Sequence, residues 1–163
     1  MSVKRFWAPW RMEYIRGLKE RGCFLCRAMA ESDDRQNLVL RRGRTVAVIV
    51  NRYPYNNGHL MVCPYRHVAE MDALTPEERL ETMDELARAI AALRTAMRPN
   101  GFNVGVNLGR VAGAGLEEHL HVHIVPRWDG DTNFMPVLAD VKVIPQSLLD
   151  LWDLLHPALN PPA

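Results

Sequence analysis

The sequence predicts an α+β domain, an antiparallel sheet with one long helix packed on it, and three observations carry that prediction. A β-branched apolar run, Thr45–Val50, is followed by a second run, His59–Cys63, across the turn-forming Tyr53-Pro54-Tyr55-Asn56-Asn57-Gly58. A long segment with apolar residues at helical spacing opens at Thr75-Pro76. Finally, His119–Val125 alternates between histidine and aliphatic side chains, the period of a strand.

The elements follow in chain order, with no internal repeat. The first twenty residues are basic and aromatic, with Trp7, Trp10, Arg11 and Tyr14 around Pro9, and read as an arm lying over the domain. That arm, with the Cys-x-x-Cys pair, spans residues 1–30 of a single domain covering 1–163. The two apolar runs form an antiparallel pair of strands. Thr75 is a helix N-cap, Pro76 suits the first helical position, and Glu78 closes a capping box. From there Leu80, Met83, Leu86, Ile90, Leu93 and Met97 define the expected buried stripe, until Arg98-Pro99-Asn100-Gly101 ends the helix. Phe102–Asn107 alternates as a strand, Leu108–Gly115 is a glycine-rich turn, and His119–Val125 is the next strand. Ser147–Leu155 reads as a short helix and Pro157–Ala163 as a frayed tail.

Composition narrows the function classes. The 163 residues hold 48% hydrophobic and 24% charged side chains, a balance typical of a globular domain with its own core. Apolar runs fall far short of the roughly 18 residues of a spanning helix. The N-terminal residues show no apolar signal region, so a membrane role is not expected and the cytoplasm is. A net charge of +1 argues against a dedicated nucleic-acid binder, which carries a basic excess.

The histidines carry the chemistry. His119, His121 and His123 stand at alternate positions, so their rings share one strand face about 7 Å apart, with Leu120, Val122 and Ile124 on the other. One isolated histidine on a strand is usually structural. Three in strict alternation behind a glycine-rich turn suggest nucleophilic work at a phosphorus centre, because neutral imidazole attacks and protonated imidazole leaves. The turn offers backbone N–H groups to an anion. Cys23-Phe24-Leu25-Cys26 alone is a weaker signal, open to a metal, a redox pair or an incidental one. Cys63, inside an apolar strand, reads as a buried small hydrophobe.

His119-Leu120-His121-Val122-His123-Ile124-Val125 resembles the signature of the histidine triad (HIT) family, nucleotide hydrolases and nucleotidyl transferases that act at the α-phosphate. Asn51 with His59 eight residues on resembles the family's ribose-contacting residue and upstream histidine, while Gly101–Gly109, His119–Trp128, Asn133-Phe134 and Trp7–Tyr14 are most similar to its bacterial diadenosine tetraphosphate phosphorylases. The resemblance runs from about residue 7 to 147. It implies His121 as the nucleophile that carries a covalent nucleotidyl group, His123 at the scissile phosphate or bridging oxygen, and His119 and His59 as their supports. It implies Asn51 at the ribose and Asn107 on the phosphate side, with backbone N–H groups of the Gly115 turn at the phosphates. Independently of it, Trp7, Trp10, Tyr53 and Tyr55 offer stacking surfaces for a base and Arg127 is a candidate polyphosphate contact. Gly115 departs from the pattern, because several family members carry a polar side chain there.

Zinc-bearing members of the family use a histidine where His67 stands and take the first triad histidine as the fourth ligand. The resemblance therefore implies a structural Zn2+ on Cys23, Cys26, His67 and His119, a set suited to tetrahedral zinc. It also implies a homodimer and a nucleotide or dinucleoside polyphosphate substrate. Phosphorolysis of diadenosine tetraphosphate is the preferred activity. Hydrolysis of dinucleoside polyphosphates or nucleoside phosphoramidates is the near rival, and a zinc-pinned, non-catalytic nucleotide-binding module is the rival of another class.

Overall fold

In a computed structural model of the chain, residues 22–132 and 143–162 are described. The aromatic arm with Trp7 and Trp10, and Asn133-Phe134, lie outside these residues. Helix α1 (Phe24–Ala30) precedes strands β1 (Val39–Arg42), β2 (Val46–Val50) and β3 (Leu60–Pro64). Helix α2 (Pro76–Met97), β4 (Gly101–Val106), one 3-10 turn (Arg110–Ala112), β5 (Val122–Arg127) and α3 (Leu148–Leu159) follow among the described residues.

The five strands form one antiparallel sheet in the order β1-β2-β3-β5-β4. Helices α2 and α3 pack against each other and on the sheet, α2 over β2 and β3 and α3 over β1. Cys63 faces α1 instead, with its Sγ 3.9 Å from Met29 Sδ, so alternation along β3 turns Leu60 and Val62 the other way. Pairing sets Met61 opposite His123, which places His123 on the α1 face. β4 is largely exposed, whereas β5 beside it is mostly buried.

The α2 N-terminus forms as its sequence dictates: Thr75 accepts from the Glu78 N–H and Glu78 accepts from the Thr75 N–H. Its buried stripe differs from the expected one. Leu86 and Leu93 are buried, whereas Leu80 and Met83 are each 64% exposed. Glu78, Thr82 and Glu85 take the inward positions, because each has a partner to offset its desolvation. Arg66 holds Glu78 through two N–H bonds of 2.7 and 2.6 Å, Arg41 Nε sits 3.0 Å from both Glu85 oxygens, and the Thr82 hydroxyl donates to the Glu78 carbonyl.

Three further elements depart from expectation. Phe24–Ala30 is a helix capped by the Cys23 sulfur, not irregular arm. β1 carries no sequence prediction; it is short, and the Trp152 Nε1–H and the Asn160 side-chain amide, from α3 and its C-cap, bond the Val39 and Leu40 carbonyls. α3 runs through Pro157 to Leu159, which is fully buried, so the expected tail begins only at Asn160. Pro157 is tolerated so near the helix end because it forfeits little of the hydrogen-bond ladder there.

The burial pattern makes a direct comparison possible. Leu93→Ala empties a fully buried site and is expected to cost about 2–5 kcal/mol in urea unfolding. Leu80→Ala, on the exposed face, is expected to change stability by no more than about 0.5 kcal/mol. Equal losses for the two variants would contradict this orientation of α2.

Candidate active site and adjoining metal centre

His119, His121 and His123 do not all lie in a strand. β5 starts at Val122, and the peptide before it is held by the Leu120 N–H donating to the Val68 carbonyl at 2.7 Å. Outside the ladder, the His119 carbonyl is free to accept from a side chain. It takes the Nδ1–H of His121 at 2.7 Å. The proton on Nδ1 leaves the lone pair of neutral His121 on Nε2. Burial pushes the His121 pKa down, which keeps the ring neutral and nucleophilic at pH 7, although its bond to the His119 carbonyl pulls the other way.

His123, T-shaped against His121 with centroids 4.7 Å apart, is held by a second chain of contacts. The Tyr55 backbone N–H, which can only donate, lies 3.0 Å from His59 Nδ1. His59 Nδ1 is thus an acceptor and its proton sits on Nε2, which reaches His123 Nδ1 at 2.9 Å. His123 accepts there and carries its own proton on Nε2. Asn107 Nδ2 lies 3.4 Å from His123 Nε2, and this tautomer of His123 calls for the amide turned to present its oxygen to that N–H. Gly58, one residue before His59, adopts φ +74°, and a Cβ there would meet Leu93, Met97 and Pro126. Glycine is what lets the chain turn into His59 against the helix layer.

Asn51 lies beside His59 at 3.3 Å from both ring nitrogens, and its Oδ1 accepts the Tyr53 N–H. Tyr53 is half-buried, with its ring edge-on to Phe24. Gly115 has open space around it, in a turn where Gly109 and Gly113 hold positive φ. Arg127 is not the free cation the sequence suggested. Its Nε and Nη2 pair with Asp131 at 2.6 and 3.0 Å, and Nη1 donates to Asn103. Trp128 caps a helix end rather than the site, with Nε1–H donating to the Met97 carbonyl. Trp10 lies outside the described residues.

The four residues expected around a metal do converge. Cys23 Sγ, Cys26 Sγ, His67 Nδ1 and His119 Nδ1 all lie within 4.8 Å of one another, and four of the pairs measure 3.2–3.3 Å. Tetrahedral zinc with bonds of roughly 2.0–2.3 Å sets such ligand atoms about 3.3–3.8 Å apart, so the cluster fits the ion. His119 Nε2–H donates to the Pro64 carbonyl at 2.8 Å, which leaves Nδ1 deprotonated and aimed at the cluster. Burial and the Cys23 thiol push Cys26 up to about 11, so this thiolate needs a cation beside it. Arg66, clamped by Glu78 and the Ala73 carbonyl, fixes the segment that presents His67. Tyr55, which the sequence offered only as an aromatic able to stack a base, has its ring over His59 and His123 at 4.6 and 5.4 Å.

A sheet edged by a buried nucleophilic imidazole, a second imidazole of fixed tautomer and a glycine turn defines a class of phosphorus-centred group-transfer proteins. The chain belongs to the HIT domain family, whose model matches residues 32–130. A protein of Mycobacterium tuberculosis named AP-4-A phosphorylase is 44% identical over 94% of this chain and 83% of its own length. The asymmetrical bis(5'-nucleosyl)-tetraphosphatase of Schizosaccharomyces pombe is 31% identical over 57% of this chain and 50% of its own. A zinc-bound histidine triad protein of Mycobacterium smegmatis shares the fold, with TM-score 0.66 and 22% identity over 85% of this chain and 93% of its own. Among the described residues no helix is long and apolar enough to cross a membrane.

The buried neutral histidines carry a pH signature. Burial, reinforced by the neighbouring histidines, lowers His59 to about 3 and His123 to about 4. The unfolded chain takes up these protons near pH 6.5, while the folded chain still refuses them. Their stability contribution is therefore complete above about pH 6.5 and is lost as pH falls toward 4 and 3. Urea midpoints measured from pH 8 to 4 should decline below about 6.5, less steeply in His59→Gln. Parallel declines in the two proteins would show that His59 is not the neutral buried group described.

Proposed function

We propose that this chain transfers a nucleotidyl group from a dinucleoside polyphosphate to a phosphate acceptor, with diadenosine tetraphosphate phosphorolysis as the preferred reaction. The observation that carries the reading is the 2.7 Å bond from His121 Nδ1–H to the His119 carbonyl, which leaves Nε2 of the neutral ring unprotonated. A pure binding module has no use for a nucleophile prepared in this way. The name of the Mycobacterium tuberculosis relative supports the phosphorylase reading, and that of the Schizosaccharomyces pombe relative keeps hydrolysis as the second reading.

In the first step His121 Nε2 attacks the α-phosphorus as the bond to the bridging oxygen breaks. The electron pair leaves with the polyphosphate portion, and His123 Nε2–H hydrogen-bonds the oxygen that gains charge. In the second step an acceptor phosphate oxygen attacks the same phosphorus and the P–N bond breaks, returning the electron pair to His121. His59 acts through His123 by keeping its proton on Nε2 and is a positioning residue. Asn51 serves the ribose hydroxyls, and Asn107 steadies His123 and the phosphate side.

A zinc ion on Cys23, Cys26, His67 and His119 belongs to the same reading. Four protein ligands leave no open coordination position, so the ion is structural: it ties the start of α1 to the segment carrying His121.

Product analysis separates the readings. Diadenosine tetraphosphate should yield ADP plus ATP only when phosphate is supplied; AMP plus ATP, or two ADP without phosphate, identifies a hydrolase. His121→Asn should retain nucleotide binding and lose at least about 10^3-fold in turnover. Near-normal cleavage by that variant would remove the covalent mechanism.

Metal content gives an independent check. Gently purified protein should hold about one zinc per chain, and Cys23→Ser with Cys26→Ser should lose the zinc and melt at lower temperature. Metal-free protein with unchanged melting would exclude the structural role.

A further inference from the structure

The two in-line steps at one phosphorus share a subsite. His121 occupies one side, so the leaving phosphate departs from the other, and the acceptor that replaces it must approach by the same route. Water fits that route too. A protein that selects phosphate there must supply donors to its oxygens, and His123 Nε2–H is one. The turn 109–115 offers few side chains for this purpose, being Gly-Arg-Val-Ala-Gly-Ala-Gly, with hydrogen alone at Gly115.

A hydroxyl comes close to this site from the β2–β3 loop. Tyr55 is 52% exposed, although its ring is held over His59 and His123. Its backbone is tied to the site by the N–H bond to His59 Nδ1. Its hydroxyl lies 3.5 Å from the Asn107 amide, which is itself 3.4 Å from His123 Nε2. The phenol thus reaches the same amide as the proton-bearing nitrogen of His123. It also forms the wall of an open recess of about 240 Å³, lined further by Asn56, Asn103, Val125 and Arg127, large enough for a phosphate group. Arg127 is neutralised by Asp131 there, so the recess carries polar donors without a free positive charge.

We propose that the Tyr55 hydroxyl is the acceptor-selecting donor of this site, bonding a phosphate oxygen on the leaving side of the α-phosphorus and so favouring phosphate over water as the second-step nucleophile. The inference rests on the nucleotidyl-transfer reading above. The same contact is made first to the departing polyphosphate and then to the incoming phosphate, whose oxygen forms the new P–O bond as the P–N bond to His121 breaks.

Tyr55→Phe keeps the ring and removes only the hydroxyl. With diadenosine tetraphosphate and inorganic phosphate below saturation, ATP leaves in either case, while ADP reports capture by phosphate and AMP capture by water. The ADP:AMP ratio should fall about ten-fold in Tyr55→Phe, the scale of one hydrogen bond to a charged group. This partition is internal to each enzyme and is insensitive to a general loss of activity. An unchanged ratio overturns the role of Tyr55 and leaves nucleotidyl transfer standing. AMP alone from the wild-type protein at every phosphate concentration overturns the phosphorylase reading, and the inference with it.

Discussion

The candidate site depends most on the placement of His119. Its ring is committed on both nitrogens: Nε2–H to the Pro64 carbonyl at the end of β3, and Nδ1 to the Cys23, Cys26 and His67 cluster. Its carbonyl receives the Nδ1–H of His121. One residue therefore joins α1, β3 and the loop after β3 to the tautomer of the nucleophile. A ring loose at position 119 would leave that carbonyl without a fixed direction, and neutral His121 could then place its proton on the nitrogen that has to attack. In the proposed mechanism, this makes the cysteine pair relevant to the reaction without touching substrate.

Strict alternation in His119–Val125 revealed the histidine row, yet the structure breaks the strand at its start. In a continuous ladder the His119 carbonyl faces a neighbouring strand; here β5 begins at Val122 and the carbonyl serves a side chain instead. Period 2 in a sequence reports side-chain direction and does not report which carbonyls are paired. The capping box at Thr75 was legible because both of its partners lie within four residues. The inward face of α2 was not, since Glu78 and Glu85 are buried against Arg66 and Arg41, arginines from strand and loop that no local pattern connects to them. β1 was hidden for a related reason: its outer carbonyls are satisfied by Trp152 and Asn160, more than a hundred residues away.

The family resemblance supplied the residue types at the site, and the geometry supplied their protonation. Tyr55 is the clearest case. Its main-chain N–H, a donor under all conditions, sets the direction of the chain through His59 to His123. A backbone donor cannot be read from side-chain identity, so the sequence marked His59 as a support of the triad but not the direction of the proton relay through it. Burial completes the arrangement: neutral imidazoles tolerate the interior, whereas adjacent imidazolium ions there would repel one another.

The choice between phosphate and water is not made by the histidines. In the proposed reaction, His121, the relay through His59 and His123, and Asn51 have the same roles whichever acceptor follows. Discrimination has to come from groups that touch the acceptor, in the space the leaving group has vacated. Gly105, paired with His123 across the sheet, has no Cβ, and Gly115 has no side-chain donor, which leaves only the backbone N–H groups of its turn. Small residues there make room for a phosphate but give no reason for it to outcompete water at far higher concentration. Selection therefore needs hydrogen bonds aimed at phosphate oxygens. Tyr55, anchored through its backbone to the same relay that orients His123, is placed to supply one from the β2–β3 loop.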